Sequence, residues 1–148
     1  IGLIINRQID LMTDNLLKGV GLGTQDLASP KNLLIGGPVN PGSVFVLHSS
    51  EKTWESTLKI TNEISLSTSK DTLEDIAINQ TPDEYLITLG YSGWTGGQLD
   101  KELAENAWIT APGDFNVIFR TEPKDQILAV SEILGFDITM VSPEFGNA

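Results

Sequence analysis

Residues 89–108 read LGYSGWTGGQLDKELAENAW, and no other stretch says as much about the structure of this 148-residue chain. The pattern predicts a strand, then a glycine-dense turn, then a helix that ends near Trp108. Four glycines and two tryptophans in twenty residues are an unusual choice. Glycine loses more backbone entropy on folding than other residues, so it is kept where the chain needs a positive φ or a close backbone approach. The stretch therefore predicts a tight strand–turn–helix junction.

The start of this helix has its own signal. Thr95 and Gln98 have the Thr-x-x-Gln spacing of a capping box, in which each side chain bonds the backbone N–H of the other residue. We therefore expect the helix to begin at Thr95. Leu99, Leu103 and Trp108 are then expected to share its inward face.

Apolar periodicity and turn residues predict the rest of the secondary structure. Strands are expected over 1–6, 33–35, 43–48, 57–61, 63–67, 84–91, 116–120 and 137–141, and helices over 13–18, 70–78, from residue 95 to about 106, and between Thr121 and Gly135. Residues 142–148 are expected to form a tail. Strands that pair as hairpins and mix with helices favour an α+β domain around a partly antiparallel sheet.

The chain opens on IGLIIN, an apolar run that predicts a strand buried on both faces. Such a strand needs a neighbour on each side, so we expect that a segment precedes it in the intact protein. A piece without that segment would expose an unpaired edge beside residues 1–6. We expect such a piece to self-associate through this edge or to be less stable than the intact protein.

Composition narrows the possible functions. The chain has 20 acidic and 9 basic residues, a net charge of −11, and its Lys and Arg residues are scattered. This disfavours binding to nucleic acid or to an anionic membrane surface. There are no cysteines, which excludes disulfides and thiolate chemistry. No apolar run approaches the roughly 20 residues of a membrane helix. We expect a single-domain cytoplasmic protein.

Two motifs resemble catalytic or metal-binding sites but lack required parts. Residues 90–94 read GYSGW, close to the G-x-S-x-G elbow of serine hydrolases, but Trp94 stands where the second glycine is needed. The single histidine, His48, precedes Ser92, whereas that fold places the histidine after the serine. A lone histidine is also a poor nucleus for a metal site. We expect His48 to be partly buried and bonded to a strand carbonyl, and Ser92 not to act as a nucleophile.

Two glycine-rich runs could bind an anion through backbone N–H groups, Gly36-Gly37-Pro38 and residues 93–97. Neither run contains a lysine or arginine, so we expect tight turns there. The acidic residues of the two helices over 70–78 and 95–106 are expected to form solvated faces.

Several segments resemble, in order and spacing, the AlgH/YqgE family of bacterial proteins. They are GLIIN at 2–6, GGPV at 36–39, VLH at 46–48, residues 66–73, residues 89–108, residues 114–119, Gly135 and Asp137-Ile138. The resemblance spans essentially the whole chain, although members of the family have an additional segment before GLIIN. It implies a single α+β domain with a bent, bifurcated, mostly antiparallel sheet that includes a small barrel and is surrounded by helices.

The resemblance implies a cytoplasmic protein of a family in which some members carry the label of transcriptional regulator. The family has no established catalytic residues to carry over. We expect a non-enzyme without cofactor or metal that acts through contacts with another protein and binds neither nucleic acid directly nor membrane. The candidate interaction surface comprises Gly36, Gly37, Pro38, His48, Tyr91, Trp94, Gln98 and Trp108. The alternative is an enzyme or small-molecule binder with a cleft near Trp94, Gln98 and His48.

We predict that the protein does not bind duplex DNA at physiological salt. Duplex binding depends on counterion release by clustered Lys and Arg side chains, and the sequence shows no such cluster. Titration of a fluorescent duplex, followed by anisotropy, is expected to show no saturable binding in the submicromolar range. A salt-sensitive, submicromolar isotherm would contradict this prediction.

Overall fold

The structure is a computed structural model and describes residues 1–23 and 27–141. The chain divides into two compact units. Residues 2–92 form the first, here called the sheet unit, and residue 1 together with residues 93–148 forms the second, here called the helical unit. The expected tail over 142–148 lies outside the described residues.

The sheet unit contains six strands and two helices. They are β1 (Gln8–Met12), α1 (Thr13–Gly19), β2 (Asn32–Ile35), β3 (Val39–Ser49), β4 (Leu58–Lys59), β5 (Ile64–Ser67), α2 (Lys70–Asn79) and β6 (Tyr85–Tyr91). The strand order is β1-β2-β6-β3-β5-β4, and every neighbouring pair is antiparallel except β2 with β6. The expectation of an α+β fold with a mostly antiparallel sheet is confirmed.

The small barrel implied by the family resemblance is not present in the described residues. The strands form one open, unbranched row with β1 and β4 as its edges. Because β1 pairs only with β2, and β4 only with β5, the row does not close on itself.

The core of the sheet unit lies where α1 and α2 pack on one face of the sheet. Its members are apolar side chains from all five of the elements that meet there: Leu17 of α1, Leu33 of β2, Val46 of β3, Leu73, Ile76 and Ala77 of α2, and Tyr85 and Ile87 of β6. Burial of the leucine, isoleucine and valine side chains among them stabilises the fold by about 1.5–3 kcal/mol each. This packing positions the central strands β3 and β6.

Gly36 and Gly37 after β2, together with Gly90 near the end of β6, allow two backbone segments to lie in direct contact. A Cβ atom on Gly36 would lie 2.3 Å from the carbonyl oxygen of Gly90, and one on Gly37 would lie 2.1 Å from the carbonyl carbon of Tyr91. Gly90 also has a positive φ of 69°. These residues are glycines because the neighbouring backbone leaves no room for a side chain.

The prediction of a buried central strand over residues 1–6 is wrong. Gly2 forms an isolated bridge, in which it exchanges two 2.9 Å backbone hydrogen bonds with Ser92, and the Ile4 N–H donates to the Gly36 carbonyl at 2.9 Å, but no strand forms there. The first strand starts at Gln8 and is an edge strand. A short apolar run does not distinguish a central strand from a half-buried segment that crosses strand ends.

The helical unit contains α3 (Gln98–Ala104), α4 (Phe115–Arg120) and α5 (Gln126–Leu134), with 3₁₀ turns at Pro123–Asp125 and Ile138–Met140. Gly135 ends α5 with a φ of 77°, as predicted. The prediction that α3 starts at Thr95 is wrong, because Gly97 occupies the N-cap position. Half of the capping box forms, since Gln98 Oε1 accepts a hydrogen bond of 3.1 Å from the Thr95 N–H.

The inward face expected for Leu99, Leu103 and Trp108 is also wrong. No residue of α3 is buried, and these three side chains are 37%, 37% and 48% exposed. Helical periodicity identifies which side chains share a face, but it does not show that another element covers that face.

The predicted strands over 116–120 and 137–141 are wrong for a shared reason. Each segment follows an aspartate whose side chain caps a helical turn: Asp114 accepts from the Val117 N–H at 2.9 Å, and Asp137 accepts from the Thr139 N–H at 2.9 Å. In α4, Phe115 also packs on Phe119, one turn away, at 4.8 Å between ring centroids. The cap outweighs the strand propensity of a short apolar run.

We predict that Gly37→Ala lowers the free energy of unfolding by about 2 kcal/mol or more, since the added carbon meets backbone atoms that cannot rotate away. Gly42→Ala is the matched control, because nothing lies within 4 Å of a Cβ there. The control is expected to change stability by less than about 1 kcal/mol. Urea denaturation followed by circular dichroism measures both, and equal midpoints for the two variants would contradict the prediction.

Candidate functional site

In the helical unit, three of the candidate residues, Trp94, Gln98 and Trp108, form hydrogen bonds to Glu102, which was not among the candidates. Glu102 Oε2 accepts hydrogen bonds from the indole N–H groups of Trp94, at 3.0 Å, and Trp108, at 2.8 Å. Gln98 Nε2 donates to Glu102 Oε1 at 2.9 Å. We call Trp94, Gln98, Glu102 and Trp108 the indole–carboxylate cluster.

Local backbone geometry builds the cluster. Gln98 and Glu102 lie one turn apart on α3, so their side chains share a face. After the helix, Asn106 adopts a left-handed φ of 56°, which reverses the chain. This turn places Trp108 beside Glu102. The Trp108 ring packs edge to face on the Trp94 ring, at 5.8 Å between ring centroids. The cluster is therefore preorganised by a single short helix and its flanking turns.

Glu102 is negatively charged at neutral pH. Hydrogen bonds from Trp108, Gln98 and Trp94 hold the pKa of this carboxyl below its usual value. All three donors are neutral groups. Lys101, its neighbour in sequence, forms an ion pair with Glu105 at 3.7 Å. The charge of Glu102 is thus solvated by hydrogen bonds but not neutralised by these partners.

Sequence reasoning selected Trp94, Gln98 and Trp108 but missed Glu102, the residue that joins them. Glu102 was assigned to a solvated acidic face. The available signal was its spacing, because a helix that contains Gln98 places Glu102 one turn further along the same face. In sequence, Glu102 lies between Trp94 and Trp108. Because each indole carries one N–H donor, Glu102 could have been identified as their common acceptor.

The remaining candidates lie in the sheet unit, and His48 is the most enclosed of them. It is 0% exposed, and its Nδ1 lies 2.8 Å from the Ser49 carbonyl oxygen, which can only accept a hydrogen bond. In the neutral ring Nδ1 therefore carries the hydrogen, and Nε2 accepts from the Ser67 hydroxyl at 2.8 Å. The expected bond to a strand carbonyl is confirmed, although burial is complete rather than partial.

His48 lies at the end of a chain of three hydrogen bonds, partly buried at Trp54 and Thr57 and fully buried at Ser67, in which each donor faces toward the ring. The Trp54 backbone N–H donates to Thr57 Oγ1 at 2.7 Å, and Thr57 Oγ1 lies 2.8 Å from Ser67 Oγ. Since Ser67 donates to His48, Thr57 donates to Ser67. The Trp54 and His48 rings also meet edge to face at 5.0 Å. Ser67, and not Ser92, is the serine partner of His48, and Ser67 is 0% exposed.

The glycine-rich run Gly36-Gly37-Pro38 and Tyr91 have packing roles in the sheet unit. Gly36 and Gly37 are buried against the backbone of β6, whereas Pro38 is exposed. Tyr91 packs edge to face on Phe45 at 5.5 Å between ring centroids. The N–H groups of a buried, strand-paired glycine run are not presented to a ligand, and Gly36 N–H donates to the Leu89 carbonyl at 2.9 Å.

A second indole–carboxylate pair occurs in the sheet unit. Trp54 Nε1 donates to Asp75 Oδ2 at 2.6 Å, and Asn79 donates to Asp75 Oδ1 at 2.7 Å. Here a cation is present, because Lys52 forms an ion pair with Asp75 and its Nζ lies 5.6 Å from the centre of the Trp54 ring. Trp54, Lys52 and Asp75 tie the loop after β3 to α2.

A small cavity of about 220 Å³ opens in the sheet unit between the loop before β2 and the loop after α2. Lys31 lines it, but its ammonium group is already engaged by the Tyr85 carbonyl oxygen at 3.2 Å and by Glu84 at 3.6 Å. Sequence reasoning did not identify this cavity. Because Glu84 neutralises the charge of Lys31, the single lysine of the cavity would attract an anionic ligand only weakly.

No group of three or more His, Cys, Asp or Glu side chains able to hold a metal ion occurs within residues 1–23 and 27–141. Over the same ranges, no helix combines the length and apolar character that crossing a membrane requires.

We predict that Asp75→Asn lowers the free energy of unfolding by about 1 kcal/mol at pH 7, because Asn keeps the shape but loses the charge that Lys52 and Trp54 bind. The hydrogen bond from Lys52, then that from Trp54, lowers the pKa of Asp75 below 3.8, against the opposing effect of burial. A carboxyl with a lowered native pKa stabilises the fold above its unfolded pKa, and this contribution is lost as the pH falls through the native value.

The difference between wild type and Asp75→Asn is therefore expected at pH 7 and expected to shrink below about pH 3.8. Urea denaturation at both ends of this range measures it. Asp10→Asn, at an exposed carboxylate of β1, is the control and should change stability by less than about 0.5 kcal/mol. A difference between wild type and Asp75→Asn that stays constant with pH would refute the assignment.

Comparison with known proteins agrees with the resemblance found in the sequence. A family described as AlgH-like matches residues 1–139. A UPF0301 protein of Azoarcus sp. (strain BH72) is 41% identical over 149 residues, which cover 100% of this chain and 79% of that protein. A UPF0301 protein of Thiobacillus denitrificans is 38% identical over 148 residues, with 100% and 80% covered.

Two solved structures are similar as well. The solution structure of the AlgH protein from Pseudomonas aeruginosa has a TM-score of 0.77 and 36% identity, and the match covers 99% of this chain and 78% of that one. A crystal structure of a protein from Corynebacterium diphtheriae has a TM-score of 0.65 at 17% identity, with 99% and 74% covered, and shares the fold. The chain therefore belongs to the AlgH-like family of UPF0301 proteins.

Proposed function

We propose that this protein is a non-enzymatic, cytoplasmic member of its family that acts by binding another protein through the helical unit. The role is regulatory, as the label carried by some family members suggests, and it does not involve direct contact with DNA. The observation that carries the proposal is the apolar surface of the helical unit.

Many large apolar side chains of this unit are exposed to solvent. Among its described residues, Phe119 is the single buried apolar side chain. Within residues 93–141 the exposed ones, each between 37% and 80% accessible, are Leu99, Leu103, Trp108, Ile109, Ile127, Leu128, Ile133, Phe136, Met140 and Val141. Extensive exposed apolar surface marks sites of protein interaction, because its burial against a partner is the favourable term in association.

Charge indicates the chemistry of the partner. Residues 93–141 contain eight acidic and three basic side chains, which gives this part of the chain a net charge of −5. A partner surface with an apolar centre and a basic rim would complement it in both respects. The same negative charge disfavours duplex DNA.

Catalysis through His48, part of the alternative hypothesis, has less support. Both of its ring nitrogens are engaged at 2.8 Å, and the residue has no exposed surface. To exchange a proton with a substrate, His48 would have to break a buried hydrogen bond. The closed environment of His48 favours a structural role, and this supports binding over chemistry.

Quantitative capture from a bacterial lysate tests the proposal. The baits are the wild type, Leu128→Ser in α5 and Ile78→Ser in α2, whose side chains are 62% and 65% exposed. Both variants remove an exposed apolar side chain from a helix, but only Leu128 belongs to the proposed surface. Each captured protein is then purified and titrated against all three by calorimetry.

We expect one basic partner that binds the wild type and Ile78→Ser alike and binds Leu128→Ser at least about tenfold more weakly, since burial of a leucine contributes about 1.5–3 kcal/mol. Equal affinity of all three baits would contradict the proposal. So would a stable homodimer in light scattering that Leu128→Ser dissociates, because the surface would then belong to a second copy of the chain. Turnover of a substrate by the purified protein would favour the alternative.

A further inference from the structure

We propose that the indole–carboxylate cluster binds a cationic side chain, lysine or arginine, of the partner protein. This inference rests on the proposed function and names the chemistry of one contact within it. The occupant would lie with its charge beside Glu102 Oε1 and its methylene stem along the indole of Trp108.

The first support comes from unused hydrogen-bonding capacity. Oε2 of Glu102 accepts two N–H groups, from Trp94 and Trp108, whereas a single donor, from Gln98, is found for Oε1. A carboxylate oxygen can accept two hydrogen bonds. One acceptor position on Oε1 therefore remains available to a donor from outside the chain.

The second support is the uncompensated charge of Glu102. Its three donors are neutral, and none of the ion pairs found in the described part of the chain includes it. The indole and amide donors keep the carboxylate ionised and fixed in one position. A cation that arrives at Oε1 thus gains an ionic interaction, screened by solvent, without the entropy cost of ordering the acceptor.

The third support is the accessible tryptophan beside the carboxylate. Trp108 is 48% exposed, and its indole N–H is held 2.8 Å from Oε2, which brings the ring close to the carboxylate. An ammonium or guanidinium group within about 6 Å of an indole ring is attracted by its π-electrons. A cation at Oε1 would be placed to use both interactions.

The sheet unit provides an occupied version of the same arrangement. There Asp75 accepts an indole N–H from Trp54, and the ammonium group of Lys52 pairs with Asp75 and lies 5.6 Å from the Trp54 ring centre. Carboxylate, indole and cation thus form a complete triad. In the indole–carboxylate cluster the carboxylate and the indoles are in place, and Lys101, the adjacent lysine, is paired with Glu105 instead. The cation is therefore the one member of the triad that the described part of the helical unit does not place at Glu102.

The test is an NMR titration of the ¹⁵N-labelled 148-residue chain, observed at its three indole N–H signals. The probe is an acetylated, amidated tripeptide with a central lysine, and the same peptide with arginine, norleucine or glutamate at the centre gives the comparison. We expect saturable shifts of the Trp94 and Trp108 signals with lysine and arginine. The norleucine and glutamate peptides should give none, and Trp54, whose cation site is filled, serves as the internal reference.

Three variants, one of them a control, locate the effect. Glu102→Gln is expected to weaken lysine-peptide binding at least tenfold, whereas Glu105→Gln, on the same helix, should leave it within about twofold. Trp108→Phe, which keeps a ring but removes the indole donor, is expected to weaken binding as well. The inference is overturned if neither cationic peptide produces saturable shifts of Trp94 and Trp108, or if Glu102→Gln binds the lysine peptide as well as the wild type does.

The captured partner separates this inference from the proposed function. A partner whose binding is weakened by Leu128→Ser but not by Glu102→Gln would overturn the inference and leave the proposed function intact. Saturable, Glu102-dependent binding of the lysine peptide supports the inference even where no protein is captured.

Discussion

The sheet depends on the close approach of two backbones at the ends of β2 and β6. Gly36 and Gly37 lie so near Gly90 and Tyr91 that any Cβ atom on the first two would overlap with backbone atoms. This contact permits the parallel pairing of β2 with β6, the one parallel pair in the row. Since β6 also pairs with β3, the central strand of the sheet is positioned by a steric constraint that only glycine meets.

Tryptophan has a similar role in both units, because its indole N–H donates to a carboxylate while its ring packs edge to face on another aromatic ring. In the sheet unit Asp75 receives Trp54 together with Lys52, and the result is a closed structural tie. In the helical unit Glu102 receives two indoles without a cation. The two carboxylates therefore differ in the presence of one lysine, and this difference is the basis of the proposed cation site at Glu102.

The buried His48 of the sheet unit has a hydrogen-bond partner at each of its side-chain polar atoms. Nδ1 of His48 donates to the Ser49 carbonyl oxygen, and Nε2 accepts from Ser67, which itself accepts from Thr57, so both ring nitrogens of this fully buried residue are satisfied. A polar group buried without partners would cost about 1–3 kcal/mol, so the complete network stabilises the fold. It also removes the sole histidine from contact with substrates, which is why histidine and serine in one structure do not by themselves indicate catalysis.

Sequence alone was enough to predict the family, the α+β class, most elements of the sheet unit and the end of α5 at Gly135, because these follow from periodicity and from residues with strict backbone preferences. It failed over 1–6, 116–120 and 137–141, where short apolar runs fit several conformations and a contact or cap selects one. The role of Glu102 also required the three-dimensional structure. Its importance comes from two tryptophans that donate to one carboxylate, Trp94 from before α3 and Trp108 from beyond the left-handed residue Asn106, and such side-chain convergence has no periodic signature in sequence.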